Sequence, residues 1–324
     1  MNIYESTQIL YSTQALFYYI LYLITKNNSF RTIFPFLPFL LHPISLRLFC
    51  FLDKELLFHM PHTLPITRAT HLPRLYIPLD AFSPTCLAEH SPKQGETCPL
   101  NAQQAYYLGT VLRRQCGDSL RVFNASLGEW LARIIELRKE KGVIVLEQHL
   151  RTPNPTPDLK LAFALLKRDA TDLIFRMGTE LGVTEFIPII TERTNTHNLN
   201  LKRLTSITIE AAEQCERLDI PTIASPLSLA TFLHTWSCQR ALFAAIERLE
   251  TLSNSDALYK AKKGDGLLIG PEGGFTPNER LSLQKHSFIV PLSLGISVLR
   301  ADTAVAAGLA LITHYLRSKE SMTE

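Results

Sequence analysis

The residues best suited to chemistry form a glycine loop, Gly-Pro-Glu-Gly-Gly at 270–274. An apolar strand pattern at 266–269 precedes it, and Thr276 at the N-cap, Pro277 at N1 and Glu279 at N3 predict a capping box that begins a helix. Three glycines in five residues leave backbone N–H groups open at the carboxyl end of a strand, where open α/β sheets bind ligands. The pattern therefore favours a ligand loop over a plain tight turn. It is neither a Walker loop nor G-x-G-x-x-G, so it predicts no nucleoside triphosphate or dinucleotide.

A second loop, residues 292–303, follows the next strand pattern and carries Arg300 and Asp302 among apolar residues. Arg300 could form an ion pair at a helix end, or it could contact an anion or a substrate, and we favour the second interpretation. Loops that follow neighbouring strands open on the same side of a sheet. We therefore expect the two loops to share one pocket.

The cysteine and histidine patterns predict no metal site. The six cysteines include no C-x-x-C pair, and the ten histidines show no ligand spacing. Scattered thiols in a chain of 324 residues are typical of a reducing cytosol. We therefore expect a cytoplasmic protein without a bound metal.

Strand and helix patterns alternate around these loops, over residues 158–318. The strand patterns cover 159–166, 185–190, 220–223, 241–246, 266–269 and 287–291, and the helix patterns cover 169–181, 201–217 and 303–317. Asp169 is predicted to cap the first helix and Gly182 to end it. This alternation predicts an open, largely parallel α/β sheet.

A small β-rich domain is predicted before it, over residues 71–150. Strand patterns at 74–78, 119–124, 130–137 and 142–147 accompany a helix pattern at 102–112, and residues 83–99 have the composition of a loop. Residues 151–158 carry three prolines in eight positions, which predicts a stiff linker between two domains.

Residues 1–59 differ from the rest of the chain. They contain no Gly or Val but hold 8 of the 17 Phe and 5 of the 10 Tyr. A membrane anchor and an irregular extension are both open interpretations, although prolines interrupt the second apolar stretch. We favour a third, in which translation starts at Met60 and the apolar segment is not part of the native fold. A membrane partner is accordingly not expected.

Charge alone does not indicate a partner. Lys plus Arg is 33 and Asp plus Glu is 30, a formal net charge of +3. Charged residues at 19% and hydrophobic residues at 46% exclude a disordered, highly charged chain. The motifs must therefore carry the functional interpretation.

Six stretches in order resemble one known family. They are Leu72-Pro-Arg-Leu-Tyr76, the segment 107–123, Thr179-Glu-Leu-Gly-Val183, Glu210–Arg217 with Pro221, Ile269–Gly274, and Leu294-Gly295 with Leu299–Thr303. Together they are similar to the 16S ribosomal RNA uracil-N3 methyltransferase family (RsmE) of the SPOUT superfamily. The resemblance runs from about residue 71 to 317, nearly all of the chain after Met60.

The resemblance implies a fold and a cofactor. The fold would be a small PUA-like β-barrel that binds RNA, followed by a SPOUT α/β domain with a C-terminal trefoil knot, one of the rare exceptions to unknotted topology. S-adenosylmethionine would lie in the knot, and the protein would act as a homodimer. The cofactor-binding positions that it implies are Ile269, Gly270, Pro271, Glu272, Gly273, Gly274, Leu294, Gly295, Ile296 and Leu299.

The implied reaction is methyl transfer to N3 of a specific uridine in 16S ribosomal RNA of the small ribosomal subunit. N3 carries a proton, so catalysis needs a base or a cation that stabilises the developing anion. We expect Arg300 to supply that charge and Asp302 to orient it. Ile296 and Ser297 replace the Pro-Arg usual in the family, and Met177 replaces a frequent lysine. An RNA-binding or ribosome-assembly protein with weakened catalysis, or a methyltransferase with another RNA target, therefore remains an alternative.

RNA contacts are expected mainly from the first domain. Residues 101–151 hold eight basic against five acidic residues, a net charge of +3. Phosphate contacts dominate RNA affinity, and Arg113, Arg114 and Arg193 are our candidates for them.

Overall fold

A computed structural model describes residues 71–82, 92–195, 198–246, 258–259 and 261–320. The interpretation of residues 1–59 concerns positions outside the described residues. No helix within the described part of the chain combines the length and hydrophobicity that crossing a bilayer requires.

The first described sheet has five strands and a core of its own. Its strands are β1 (Arg74–Tyr76), β2 (Thr97–Leu100), β3 (Ser119–Asn124), β4 (Gly128–Leu137) and β5 (Gly142–Arg151). They pair in the order β1-β3-β4-β5-β2, with β1 parallel to β3 and the other pairs antiparallel. Alternate apolar side chains of these strands face one buried cluster, as the two-residue period of a strand predicts.

A short helical segment covers this sheet. Asn101 caps helix α1 (Ala102–Tyr106) in a capping box with Gln104, and a turn of π-helix (Tyr107–Val111) follows. The segment ends where Arg113 adopts a positive φ of 53°, a conformation that non-glycine residues rarely occupy. The helix predicted at 102–112 is thus present, and its second half is π-helix rather than α-helix.

The second sheet is fully parallel. Its strands are β6 (Lys160–Ala164), β7 (Glu185–Ile190), β8 (Thr222–Ile223), β9 (Leu227–Ser228), β10 (Leu242–Ala245), β11 (Gly266–Ile269) and β12 (Ile289–Leu292). They pair in the order β12-β10-β11-β6-β7-β8, and β9 also pairs with β7. The predicted open, parallel α/β sheet is confirmed.

Helices pack on both faces of this sheet. They are α2 (Arg168–Glu180), α3 (Leu201–Gln214), α4 (Leu229–Thr235), α5 (Pro277–Gln284) and α6 (Ala301–Glu320). Phe163 and Leu267 point to the core shared with α2, α3 and α6, whereas Ala162 and Leu268 point to the core shared with α4 and α5. Strands buried on both faces explain the nearly continuous apolar runs in the sequence.

Three sequence expectations were wrong. Lys167, not Asp169, is the N-cap of α2 and makes no side-chain cap, so Asp169 lies in the first turn. Residues 97–99, the end of the predicted loop 83–99, instead belong to strand β2, because they pair with β5. The strands that precede the two site loops, β11 and β12, are not neighbours, because β10 lies between them.

Candidate functional site

A cavity of about 490 Å³ opens at the carboxyl ends of β10, β11 and β12. Its walls are the glycine loop, the loop that follows β12, Ala245 and Ile246 at the end of β10, and Ala301 and Ala304 of α6. The two predicted loops therefore share one pocket, and the intervening strand supplies part of its wall. The site lies where parallel sheets bind ligands.

Close packing and a positive φ shape the glycine loop. A Cβ on Gly270 would lie 2.8 Å from a ring carbon of Phe275, so a larger residue does not fit there. Gly274 has a φ of 68° at the turn into α5. These constraints explain the residue type at both positions.

Hydrogen bonds hold the far end of this loop. The Thr276 backbone N–H donates to Glu279 Oε2 at 2.8 Å, and the Glu279 N–H donates to the Thr276 hydroxyl at 3.3 Å. This confirms the predicted capping box, with Pro277 at N1. Glu279 Oε1 also accepts from the backbone N–H of Glu192 at 2.9 Å, while the Arg193 guanidinium donates to the Gly273 carbonyl. The segment after β7 thereby holds the glycine loop in place.

The second loop presents backbone and apolar side chains to the cavity. Leu294 and Leu299 pack against the core, whereas the side chains of Ile296 and Val298 are largely exposed. Gly295 has a φ of 118°, and this conformation lets the chain turn between the packed Leu294 and the exposed Ile296. The loop therefore combines an anchored base with an exposed apolar tip.

Only two lining side chains carry a charge among the described residues, Glu272 and Arg280. The other lining residues are uncharged, and all but Ser293 and Ser297 are apolar or glycine. A mostly apolar cavity of this volume with a few polar groups is typical of a small-molecule site.

Comparisons with known proteins agree with this arrangement. The model of a family described as an RNA methyltransferase domain matches residues 152–313, half of the chain. A ribosomal RNA small subunit methyltransferase E of Rickettsia conorii is 36% identical over 216 residues, which cover 64% of this chain and 85% of that protein. The protein of the same name from Synechocystis is 36% identical over 228 residues, 68% of this chain and 74% of the relative. The chain belongs to the ribosomal RNA small subunit methyltransferase E family.

A solved structure from the same comparisons bears on the cavity. A putative methyltransferase from Legionella pneumophila, solved with bound S-adenosylmethionine, is 28% identical and superposes with a TM-score of 0.66. The match covers 75% of this chain and 98% of the other. The fold of this family member is therefore one found in a cofactor-bound methyltransferase.

Nine of the ten predicted cofactor positions line the cavity. The exception is Gly273, which packs against Arg193 instead. Sequence reasoning missed Ala245, Ile246, Ala304 and Arg280 in the lining. Arg280 directly follows the capping-box Glu279, and a basic residue in the first turn of a helix is an unusual choice that could have marked it.

The predicted catalytic pair lies beside the cavity lining. Arg300 is exposed, and its carbonyl accepts from the Ala304 N–H at 2.8 Å as α6 begins. The Asp302 carboxylate accepts from the Thr303 N–H at 2.7 Å. The structure shows no hydrogen bond or ion pair between Arg300 and Asp302, so their joint role stays a prediction.

The predicted RNA-contacting arginines fall into two places. Arg113 is exposed, and Arg114 lines a separate cavity of about 370 Å³ together with Arg138 and Lys139. Arg193 lies at the glycine loop. Within the described residues, no group of three or more His, Cys, Asp or Glu side chains could hold a metal ion.

Proposed function

We propose that the chain transfers a methyl group from S-adenosylmethionine to N3 of a specific uridine in 16S ribosomal RNA of the small ribosomal subunit. One observation supports this most strongly. The cavity is built from the two loops that resemble the methyltransferase family, in a chain that belongs to that family.

The cavity suits S-adenosylmethionine. Apolar walls such as Leu294, Leu299 and Ile246 can cover the adenosine, and loop backbone can hydrogen-bond its polar edges. Glu272 offers a negative charge for the cationic end of the cofactor. The cofactor, when bound, supplies a methyl group on a positively charged sulfur.

The protein's role in the reaction is to orient the reactants and stabilise charge. In-line displacement requires N3 to approach the methyl carbon from the side opposite sulfur, and fixed geometry contributes several kcal/mol, on the order of 7 or more in favourable cases. N3 must pass its proton to a base, for which solvent is the acceptor in this proposal, and the deprotonation leaves negative charge on the uracil oxygens. We assign Arg300, at the start of α6, to stabilise that charge, and Asp302 to assist its orientation.

The first described sheet, with residues 71–150, is assigned to RNA binding as a PUA-like barrel. Arg113, Arg114 and Arg193 are the proposed phosphate contacts, because they are basic and lie on or near accessible surface. Residues 158–318 form the methyltransferase domain in this proposal, and the active protein works in the cytoplasm, where its ribosomal substrate is made.

The homodimer and the trefoil knot also belong to this proposal. The exposed Ile296 and Val298 at the cavity rim support a subunit interface, because such side chains gain from burial. The knot is proposed from the family resemblance; α6 packs closely on β11, since a Cβ on Gly308 would lie 2.8 Å from the Leu267 side chain.

The experiment is methylation of small ribosomal subunits by the purified chain with isotopically labelled S-adenosylmethionine, followed by mass mapping of the RNA. We expect one labelled uridine, with the methyl on N3. Binding to the subunit without label transfer would favour a ribosome-assembly protein. Label in transfer RNA alone would establish another RNA target.

A further inference from the structure

Arg280 is a charged group in the cavity that the reaction described above does not use. It lies in the first turn of α5, half-buried, and lines the pocket beside Gly274. A cation near a helix N-terminus is repelled by the positive end of the helix dipole, so the dipole of α5 does not stabilise Arg280 at this position.

Among the described residues, the Arg280 guanidinium makes a hydrogen bond through Nε and none through its two terminal nitrogens. Its Nε donates to the backbone carbonyl of Phe275 at 3.1 Å. No Asp or Glu oxygen of the described residues forms an ion pair with its guanidinium. The neighbouring Glu279 forms no ion pair with Arg280; its two oxygens accept the backbone N–H groups of Glu192 and Thr276.

We propose that Arg280 binds the carboxylate of the amino-acid end of S-adenosylmethionine, and this inference rests on the proposed function. The carboxylate is the only negative charge on that molecule, and Arg280 is the only cation among the described lining residues. With Nε fixed on Phe275, the two terminal nitrogens are available for a carboxylate in a paired geometry that arginine favours.

Glu272 offers a partner for the ammonium of the same amino-acid end. It is the second charged residue of the lining, and it lies on the same glycine loop. The amino-acid end of the cofactor carries an ammonium beside its carboxylate, so one cation and one anion on the wall match its two charges. The glycine loop and the first turn of α5 thus select a ligand that ends in an amino acid.

The test compares two ligands that differ in the amino-acid group. S-adenosylhomocysteine and 5′-methylthioadenosine are both neutral at sulfur, but only the first carries the carboxylate and ammonium. Calorimetric titration of the full chain should show that Arg280→Met weakens S-adenosylhomocysteine about tenfold or more. It should leave 5′-methylthioadenosine within about twofold of the original value, by the same reasoning. Arg280→Lys should restore part of the loss, because it keeps the charge.

Arg193→Met is the matched control. Arg193 also contacts the glycine loop, through the Gly273 carbonyl, but it does not line the cavity. Loosening the loop should weaken both ligands by the same factor. An equal loss of both ligands in Arg280→Met would show that Arg280 acts only through the loop, and would overturn the proposal.

Two further outcomes separate this inference from the function on which it rests. If the unaltered chain binds neither ligand, the proposed function fails and the inference falls with it. If Arg280→Met keeps full affinity for S-adenosylhomocysteine but loses affinity for ribosomal subunits, the anion is an RNA phosphate, and only this inference is wrong.

Discussion

Arg74 and Glu129 form a buried ion pair, with 2.7 Å between Arg74 Nε and Glu129 Oε1. The same guanidinium donates to the carbonyls of Ala212, Glu213 and Arg217 at the end of α3, at 2.7 to 3.0 Å. A cation at the carboxyl end of a helix satisfies its free carbonyls and complements its dipole. Arg74 therefore joins the five-stranded sheet to the parallel-sheet domain, and it links two of the sequence stretches that carry the family resemblance.

Glu129→Gln should strongly destabilise the protein. Glu129 also accepts from Arg151 at 2.5 Å and lies 3.6 Å from Arg121, so the variant leaves three arginines without their shared carboxylate. Removing one member of a buried pair typically lowers the free energy of unfolding by about 3–5 kcal/mol. Urea unfolding measures this. Glu147→Gln is the control, since its pair with Arg133 is far more exposed than the Glu129 pairs and should contribute less than about 1 kcal/mol.

Glu213 should make stability depend on pH. Burial raises the pKa of its carboxyl from the ordinary 4.5 to about 7, although the Tyr76 N–H and Arg74 oppose this. The folded state thus holds a proton that the unfolded state loses, so the free energy of unfolding falls as pH rises from about 4.5 to about 7, by roughly 1.4 kcal/mol for each unit of pKa difference.

Glu213→Gln should abolish this decrease in the free energy of unfolding with rising pH. The variant should match the original at pH about 4.5 and be more stable than it above pH about 7, because it buries no charge. Urea unfolding at the two pH values measures the difference. A gap between variant and original that does not change with pH would contradict the raised pKa.

Gly270→Ala should damage the cofactor site. Its Cβ would meet the Phe275 ring at 2.8 Å, and the strain of such overpacking typically costs about 1–3 kcal/mol. We expect affinity for S-adenosylhomocysteine to fall about tenfold or more, as calorimetry can show, if the loop shifts to relieve that strain. Gly109→Ala is the control, because its Cβ would have its nearest neighbour at an ordinary 3.6 Å and Gly109 does not line this cavity. Unchanged affinity in Gly270→Ala would show that the ring gives way instead.

Arg300→Ala should slow methyl transfer without weakening cofactor binding. Arg300 does not line the cavity, and its carbonyl, which helps begin α6, is retained in the variant. Loss of one group that stabilises developing charge typically lowers the rate about 100-fold or more. Single-turnover methylation of small subunits, with calorimetry of S-adenosylhomocysteine alongside, measures both quantities. A normal rate at normal affinity would remove Arg300 from the mechanism.

Arg113→Glu should weaken RNA binding and lower its salt dependence. Removing one cation that pairs with a phosphate should reduce the slope of log affinity against log salt by about 1. Binding of small subunits over a salt series measures this slope. Arg240→Glu changes the net charge equally at a residue paired with Asp158, and it should alter the slope less. Equal effects of the two variants would argue against a phosphate contact at Arg113.

The sequence by itself determined the local features of the site. The glycines, Thr276 and Glu279 predicted the loop and its capping box, because both depend on residues only a few positions apart. Apolar alternation likewise predicted most strands, and the ordered motifs predicted the family. The short elements β9 and α4 were missed, since so few residues carry little periodicity.

Only the tertiary structure showed the features that depend on contacts between residues far apart in the sequence. Strand order placed β10 between β11 and β12 and so brought Ile246 into the cavity wall, which no local pattern encodes. Folding also brought Arg193 onto Gly273 and Arg74 onto the end of α3. Which residue a side chain contacts depends on how whole helices and strands pack. The residue type alone therefore could not predict these partners.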